Sequence, residues 1–434
     1  MTKNNDDEQL KDNDHKKLGK ELDLFTFSDT VGKGLPLWTP KGSVIRRELE
    51  RWIVDEELKA GYVHVYTPDI AKLELYKKSG HYPYYKESMY APIKIEDEEF
   101  MLRPMTCPHH FELYLSRPHS YKELPIRYAE LAKLYRFEKS GELMGLQRVR
   151  SFCLADAHII ARSDQVETEI NQVLDLIDKL VGILGLTYRQ AGKNGDYAYR
   201  LSLGDRKDEK KFAKDDVAWD QAESTLEKAL EKRKIKFIKA PGEAAFYGPK
   251  IDIQMWNANG KEDTAFTVQY DFVMPQRFNL TFVNDQGKEE QVVVIHRSSI
   301  GAIERLIAFL IEKYKGAFPT WLAPVQAVVL PIADRHMEYA SSVNRELESF
   351  GIRSEIDNRQ ETLGAKIRDA QTQKVPYMVI VGDKELATSS QSEKQLVSIR
   401  SRDQGDLGQI ELQKFLADIR IEIEEKIIVK TIQS

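Results

Sequence analysis

The chain contains 434 residues, of which 41% are apolar and 31% charged, and its formal net charge is −5 at pH 7. This composition is typical of a globular protein with two or three domains, because a single core stops growing near roughly 250–300 residues. No run of 18 apolar residues and no apolar leader is present, so we expect a cytoplasmic protein rather than a membrane or secreted one. The two cysteines, Cys107 and Cys153, exclude a disulfide framework.

The first third of the chain mixes polar, helical and extended patterns. Residues 1–24 are polar and charged, which predicts a disordered arm followed by a linker helix. Apolar residues at helical spacing predict a helix over 44–60, and a β-branched run predicts a strand over 63–67 that ends at Pro68. Periodicity alone leaves residues 124–137 open between strand and helix.

The next segment combines amphipathic helices with a series of strands. The helices are predicted at 165–185, 222–235 and 301–314. The strands are predicted at 250–255, 266–272, 279–283 and 291–295. Because short turns join consecutive strands, we expect an antiparallel sheet and an α+β domain over residues 25–318.

Pro319 and Pro324 mark a boundary, beyond which strands and helices alternate. The strands are predicted at 325–331, 353–356, 377–381 and 396–400, and the helices at 335–350, 362–374 and 410–428. Such alternation predicts a small α/β domain over 319–434 with a mainly parallel sheet.

Arginines flank a glycine-containing loop between Arg127 and Phe152. Arg136 and Glu138 precede the loop, and Arg148 follows it. Guanidinium groups are always charged and bind phosphate oxygens in a bidentate manner, so this pattern suits a polyphosphate. The same composition also fits an exposed charged hairpin.

Two shorter segments add candidate chemistry. Gly301–Arg305 is predicted to open an apolar helix, whose N-terminus favours anions, although an ordinary helix start explains the pattern too. Cys107 lies between two prolines and near two histidines within residues 103–110. It is a candidate metal ligand, and the alternative is a small buried apolar residue.

Together these segments resemble the class II aminoacyl-tRNA synthetases. The strand ending at Pro68 resembles the first motif of the class, Arg136–Phe152 the second and Gly301–Arg305 the third. Sharper motifs resemble the threonyl-tRNA synthetase family: Arg-Pro-Met-Thr-Cys-Pro-His-His at 103–110, Asp-Ala-His at 156–158, Phe-Tyr-Gly-Pro-Lys at 246–250, Thr-Val-Gln at 267–269 and Ile-His-Arg at 295–297. The resemblance implies a homodimer that ligates threonine to its tRNA through a threonyl-adenylate.

The resemblance assigns one zinc ion per subunit to Cys107, His158 and His296. Three protein ligands leave a position open, as in sites that bind substrate. A site built to bind the threonine hydroxyl rejects valine, which has the same shape but lacks that group. Asp156 is implied as the acceptor of the hydroxyl proton, where a capping or surface aspartate is the alternative.

The pocket and the ATP site follow from the same resemblance. Tyr247 and Gln269 are implied as further polar groups around threonine. The implied ATP contacts, with magnesium accompanying ATP, are Arg136 at the α-phosphate, Glu138 at the adenine edge, Arg148 at the outer phosphates, and Phe152 and Arg305 on the two faces of the adenine.

The resemblance also places groups that act on tRNA. His81 matches the family's histidine near the terminal ribose, where a neutral imidazole relays a proton; a structural histidine is the alternative. The segment after residue 319 resembles an anticodon-binding domain, with Glu385 and Arg400 as candidate contacts. Arg136, Arg305 and His81 are thus the implied catalytic residues.

Longer relatives carry two more N-terminal domains, one of which hydrolyses mischarged seryl-tRNA. Since the sequence starts just before the linker helix, we expect a short form without an editing domain in the same chain. Two alternatives remain: another class IIa synthetase, prolyl being nearest, and a non-catalytic tRNA-binding paralogue. The intact set of Cys107, His158, His296 and Asp156 argues against the first, and the retained Arg136 and Arg305 argue against the second.

Overall fold

The structure, a computed structural model, describes residues 12–189, 194–208, 210–391 and 394–429. The chain divides into two compact units. The first comprises Met1–Thr26, Leu37–Leu49 and Leu310–Ser434, and the second comprises Phe27–Pro36 and Glu50–Phe309. The domain boundary at 318/319 stays a prediction. The predicted disordered arm lies, over residues 1–11, outside the described residues.

The strands are numbered in chain order. They are β1 Phe25–Thr26, β2 Leu37–Trp38, β3 Val63–His64, β4 Ile70–Lys72, β5 Ile93–Ile95, β6 Glu98–Leu102, β7 Ile126–Tyr135, β8 Ser151–Ala161, β9 Tyr197–Leu203, β10 Phe237–Pro241, β11 Lys250–Trp256, β12 Glu262–Asp271, β13 Thr281–Val283, β14 Glu289–Gln291, β15 Val293–Ala302, β16 Ala327–Pro331, β17 Ser354–Ile356, β18 Tyr377–Val381, β19 Leu396–Ser401 and β20 Gly405–Glu411.

The α-helices are numbered in the same way. They are α1 His15–Glu21, α2 Pro40–Lys59, α3 Leu73–Ser79, α4 His81–Tyr84, α5 Cys107–Tyr114, α6 Val166–Ile183, α7 Asp216–Lys232, α8 Met274–Phe278, α9 Ile303–Tyr314, α10 Met337–Ser349, α11 Leu363–Thr372, α12 Asp383–Gln391 and α13 Leu412–Glu424. Among the described residues, none of these helices combines the length and apolar content that a bilayer-spanning segment needs.

The second unit is built on an eight-stranded sheet with the order β10-β9-β11-β12-β15-β8-β7-β3. Its six central strands pair antiparallel, and β10 and β3 join the two edges in parallel. This confirms the predicted antiparallel α+β fold and shows that residues 124–137 contain a strand. The amphipathic helix α6 packs against β15, which leaves the opposite face of the central strands for a site.

Two predicted elements of this unit are present but differ from the prediction in their pairing or their start. The 279–283 strand lies outside the large sheet, because β13 pairs only with β14 among the described strands. The helix predicted from Gly301 begins at Ile303, and Gly301 belongs to β15. Gly301 has φ +69°, and a Cβ there would lie 2.1 Å from the carbonyl oxygen of Ala265. The strand therefore bends at a residue that only glycine can occupy without strain.

The first unit contains a five-stranded sheet with the order β17-β16-β18-β19-β20. The three strands β17, β16 and β18 are parallel, whereas β18, β19 and β20 pair antiparallel. The sheet is therefore mixed rather than mainly parallel, because a tight turn joins β19 directly to β20. Helices α10 and α13 cover a core that includes Val343, Leu347 and Phe415. The helix predicted over 410–428 begins at Leu412, after β20.

Candidate active site

The candidate site lies on one face of strands β12, β15, β8 and β7. His158 on β8 lies directly opposite His296 on β15, and His296 lies opposite Gln269 on β12. Two residues further along the same pair of strands, Asp156 lies opposite Ser298. Since alternate residues of a strand project from the same face, these side chains form two adjacent rows on one surface.

Cys107, the first residue of α5, completes a cluster with the two histidines. Its Sγ and one ligand atom from each of His158 and His296 lie within 4.8 Å of one another, and all three residues are buried. Burial raises the pKa of the Cys107 thiol and lowers the pKa of the His158 imidazole. One thiol and two imidazoles beside an open cleft form a donor set that fits a zinc ion with a position left for substrate.

In each histidine of the cluster, one ring nitrogen lies within hydrogen-bond distance of another buried side chain. His296 Nε2 lies 2.7 Å from Asp271 Oδ2, and the His296 ring stacks on Tyr247 with the ring centroids 4.8 Å apart. His158 Nδ1 lies 2.8 Å from His110 Nδ1. Such partners orient a ligand ring and leave its other nitrogen for the metal.

The predicted amino-acid contacts line the cleft, which has a cavity volume of about 240 Å³. The Tyr247 hydroxyl donates to Gln269 Oε1 at 2.6 Å, and Gln269 Nε2 donates to Thr267 Oγ1 at 3.2 Å. Asp156 is buried, and burial raises the pKa of its carboxyl while His110 and Thr106 act in the opposite direction. The cleft therefore presents hydroxyl, amide and carboxyl groups beside the cluster.

Two arginines occupy the same cleft. The Arg136 guanidinium lies 5.1 Å from the centroid of the Phe152 ring. Arg305 Nη1 donates to the Thr264 carbonyl at 2.6 Å and Nε donates to the Gln147 carbonyl at 3.2 Å. Burial, reinforced by the nearby charge of Arg305, lowers the pKa of Arg136. Two neighbouring guanidinium groups, one of them over an aromatic ring, suit an anionic ligand that carries a flat ring.

The loop between β7 and β8 carries the remaining predicted ATP contacts. Arg148 Nε donates to Glu138 Oε2 at 2.7 Å, and Arg148 Nη2 donates to Glu142 Oε2 at 3.0 Å. Both Glu138 and Arg148 line the cleft. The Arg148 side chain is 43% exposed, so solvent reaches its guanidinium group.

His81 lies behind the cluster and does not line the cleft. Its Nδ1 is 2.7 Å from Ser79 Oγ, and its Nε2 is 4.0 Å from Cys107 Sγ. The ring packs at 5.7 Å from the Phe246 ring. Burial lowers the pKa of His81 to about 3, so the imidazole is neutral at pH 7.

The two predicted anticodon contacts lie together in the first unit. Glu385 Oε2 accepts from the Gly382 amide at 2.9 Å, and Glu385 Oε1 accepts from Ser398 Oγ at 2.7 Å. Arg400 follows Ser398 by two residues on β19, so both side chains project from the same face of the five-stranded sheet.

Two family models match consecutive segments of the chain. The model of the tRNA synthetase class II core domain (G, H, P, S and T) matches residues 90–314, and that of the anticodon binding domain matches residues 326–421. The chain is 48% identical to the threonine–tRNA ligase of Geobacillus kaustophilus, over 96% of this chain and 62% of that protein. It is 52% identical to that of Anoxybacillus flavithermus, over 87% of this chain and 58% of that protein.

A solved structure extends the match to the fold. The RNA binding domain of threonyl-tRNA synthetase from Cryptosporidium parvum superimposes with a TM-score of 0.85 and 35% identity, over 97% of this chain and 99% of that chain. The chain belongs to the threonyl-tRNA synthetase family. It spans about 62% of the length of the Geobacillus relative of this family.

Family motifs identified the residues that line the cleft, but not the residues that form hydrogen bonds to them and fix their orientation. His110 is the last residue of the motif at 103–110, yet nothing in that motif distinguishes it as the partner of His158. Glu130, whose Oε2 lies 3.2 Å from His110 Nε2, and Asp271 carry no local sequence signal. Glu130 is a single carboxylate near the middle of β7, and Asp271 is one at the end of β12. The signal that could have found them is an acidic residue at a strand position that the apolar pattern predicts to be buried. Such a carboxylate needs a partner, because unpaired charges are rarely buried.

Proposed function

We propose that this chain ligates L-threonine to tRNA(Thr) in an ATP-dependent reaction that passes through threonyl-adenylate. The observation that carries the proposal is the shared cleft: the cluster of Cys107, His158 and His296 lies in the same cavity as Arg136 and Arg305. Joining threonine to a nucleotide requires a centre that binds the threonine hydroxyl next to two arginines that bind phosphate, and the cleft has this arrangement. Family membership supports the same activity.

Cys107, His158 and His296 are the proposed zinc ligands. Bound there, zinc would supply a Lewis-acidic position for the amino and hydroxyl groups of threonine. Asp156 accepts the hydrogen bond of the substrate hydroxyl, and Tyr247 and Gln269 close the pocket around it. Valine leaves the buried Asp156 without that partner, which is why valine is rejected more strongly than its size requires.

Activation joins the threonine carboxylate to the α-phosphorus of ATP and releases pyrophosphate. Arg136 contacts the α-phosphate, where negative charge grows as the bond to the carboxylate oxygen forms. Phe152 and Arg305 hold the adenine between them, and Glu138 binds its edge. Arg148 binds the outer phosphates, together with the magnesium ion that accompanies ATP.

In the transfer step a ribose hydroxyl of tRNA attacks the threonyl carbonyl, and AMP leaves. His81 stays the residue that the family resemblance predicts to relay the hydroxyl proton. Its imidazole is neutral at pH 7, but with a pKa of about 3 and a position outside the cleft lining it accepts a proton only weakly in this conformation. Glu385 and Arg400 are the proposed contacts to the anticodon. Glu385, on α12, accepts a hydrogen bond from Ser398 of β19, and Arg400 projects from the same face of that strand as Ser398.

We propose that the chain acts as a homodimer in the cytoplasm. Strand β3 is the edge of the eight-stranded sheet, and Val63 and Tyr66 are 59% and 93% exposed there. An unpaired edge with exposed apolar side chains favours pairing with a second chain. Light scattering should therefore give twice 50.0 kDa, and the mass of a single chain at micromolar concentration would contradict the proposal.

The whole proposal is tested by ATP–pyrophosphate exchange on metal-replete protein, combined with elemental analysis. We expect about one zinc ion per chain and exchange that depends on threonine and not on proline. Charging of a tRNA(Thr) transcript with labelled threonine tests the second step. Exchange with proline alone, or no exchange with any amino acid, would reject the proposed activity, and protein without zinc would reject the metal site.

A further inference from the structure

A chain of buried hydrogen bonds runs behind His158, away from the cleft. His158 Nδ1 lies 2.8 Å from His110 Nδ1, and His110 Nε2 lies 3.2 Å from Glu130 Oε2. Arg103 Nη1 donates to Glu130 Oε1 at 2.9 Å. All four residues are at most 2% exposed, so water cannot replace any of these partners.

The carboxylate determines where each proton of this chain lies. Paired with Arg103, Glu130 is ionised and can only accept, so His110 must donate from Nε2. A neutral imidazole carries one N–H, and therefore His110 Nδ1 is an acceptor. The proton between the two rings then belongs to His158 Nδ1. His158 Nε2 is left with a lone pair.

We infer that Glu130, acting through His110, sets the tautomer of His158 that binds metal. The imidazole nitrogen that binds a metal ion must be unprotonated, and Nε2 is the nitrogen left free by this chain. Glu130 and His110 are thus positioning residues for the cluster with Cys107. The inference rests on the proposed function for the identity of the metal, but the tautomer itself does not depend on it.

The second histidine of the cluster is set by a separate carboxylate. Asp271 Oδ2 accepts from His296 Nε2 at 2.7 Å. Asp271 Oδ1 accepts from the amides of Val273 and Met274 at 2.9 and 2.8 Å. The proton of His296 therefore lies on Nε2, and Nδ1 keeps the lone pair. Because the two systems share no residue, each provides a control for the other.

Replacing Glu130 or Asp271 by its amide should move the proton of the cluster histidine that it controls to the other ring nitrogen. In Glu130→Gln, Arg103 holds the amide oxygen at the Oε1 position, so the NH2 group faces His110 and donates to Nε2. His110 must then carry its proton on Nδ1 and donate to His158, which moves the His158 proton to Nε2. In Asp271→Asn, the two backbone amides hold the amide oxygen, and the His296 proton moves to Nδ1 in the same way.

The experiment uses the full chain, freed of metal and labelled with 15N in histidine, and assigns tautomers by long-range 15N–1H correlation. We expect Nδ1–H at His158 and Nε2–H at His110 in the wild type. Glu130→Gln should invert His158 and leave His296 unchanged, and Asp271→Asn should do the opposite. In competition with a chelator, each variant should bind zinc about 10- to 100-fold more weakly.

Glu123→Gln is the matched control, since Glu123 Oε2 lies 3.3 Å from Nδ1 of the buried His119, outside the cleft. It should leave both tautomers and the zinc affinity unchanged. Nδ1–H at His110 in the wild type would overturn the inference even if Glu130→Gln does not fold. An unchanged His158 tautomer in folded Glu130→Gln would overturn it too. A wild type with the expected tautomers and no affinity for zinc would instead reject the metal of the proposed function.

Discussion

Replacing Arg136 by alanine should slow amino-acid activation and leave the fold intact. The Arg136 guanidinium lies in the cleft over Phe152, and its one side-chain hydrogen bond within the described residues goes to Met105 Sδ at 3.6 Å. Burial and the charge of Arg305 lower the pKa of Arg136, so the folded state disfavours this cation. A neutral side chain at this position removes the unfavourable burial of a charge, so the melting temperature should not fall.

The size of the kinetic effect follows from the position of the guanidinium. Its N–H groups make little use of protein acceptors, so they remain available to the phosphate on which charge develops. Loss of one such contact raises the activation barrier by roughly 2–4 kcal/mol, which slows the reaction about 30- to 1,000-fold. Arg136→Lys keeps the charge but loses the planar fork, and it should give an intermediate rate.

ATP–pyrophosphate exchange at saturating threonine and ATP measures this effect, and thermal unfolding measures stability in the same samples. Arg117→Ala is the matched control, because the Arg117 side chain is 58% exposed and pairs with Glu123 at the surface. The control should match the wild type in both measurements. An unchanged exchange rate in Arg136→Ala, or a large fall in its melting temperature, would refute the reasoning.

Three further predictions follow from the cluster, the pocket and the core. Cys107→Ser should abolish stoichiometric zinc in elemental analysis, whereas Cys153→Ser should retain it. Serine should be activated with a kcat/KM about 10- to 200-fold below that of threonine, since it lacks one methyl group, and valine lower still, which pyrophosphate exchange measures. Arg297→Met should lower the free energy of unfolding in urea by about 3–5 kcal/mol at pH 7, because it removes the cation that pairs with the buried carboxylate of Glu57 and leaves that carboxylate with His64 and Ser299 as its partners. Burial raises the pKa of the Glu57 carboxyl, but the Arg297 charge and the hydrogen bond to His64 hold it below its usual range in the wild type. Without Arg297 this pKa rises, so the deficit of the variant should shrink as the pH falls through the raised pKa of the variant and then through the lowered pKa of the wild type.

Elements with a strong local pattern were predictable from the sequence. The amphipathic helix at 165–185 is α6, and the apolar run at 377–381 is β18 with the same bounds. Residues 124–137 could not be assigned by periodicity, because their apolar positions fit both spacings. They form β7 since β8 on one side and β3 on the other satisfy its backbone hydrogen bonds. Gly301 was misplaced for a similar reason, as its strand geometry depends on the distant Ala265.

The sequence by itself supplied the cysteine, histidine, arginine and carboxylate side chains that the proposed reaction needs. Its family motifs also identified which of these residues line the cleft. Only the tertiary structure brought them together. Cys107, His158 and His296 are far apart in the chain, and no spacing predicts a site from them. They meet because β8 and β15 pair in a register that sets His158 opposite His296, while α5 begins at Cys107 beside them. Register is decided by hydrogen bonds and packing between distant strands, and a shift of one residue between β8 and β15 would put the two histidines on opposite faces of the sheet.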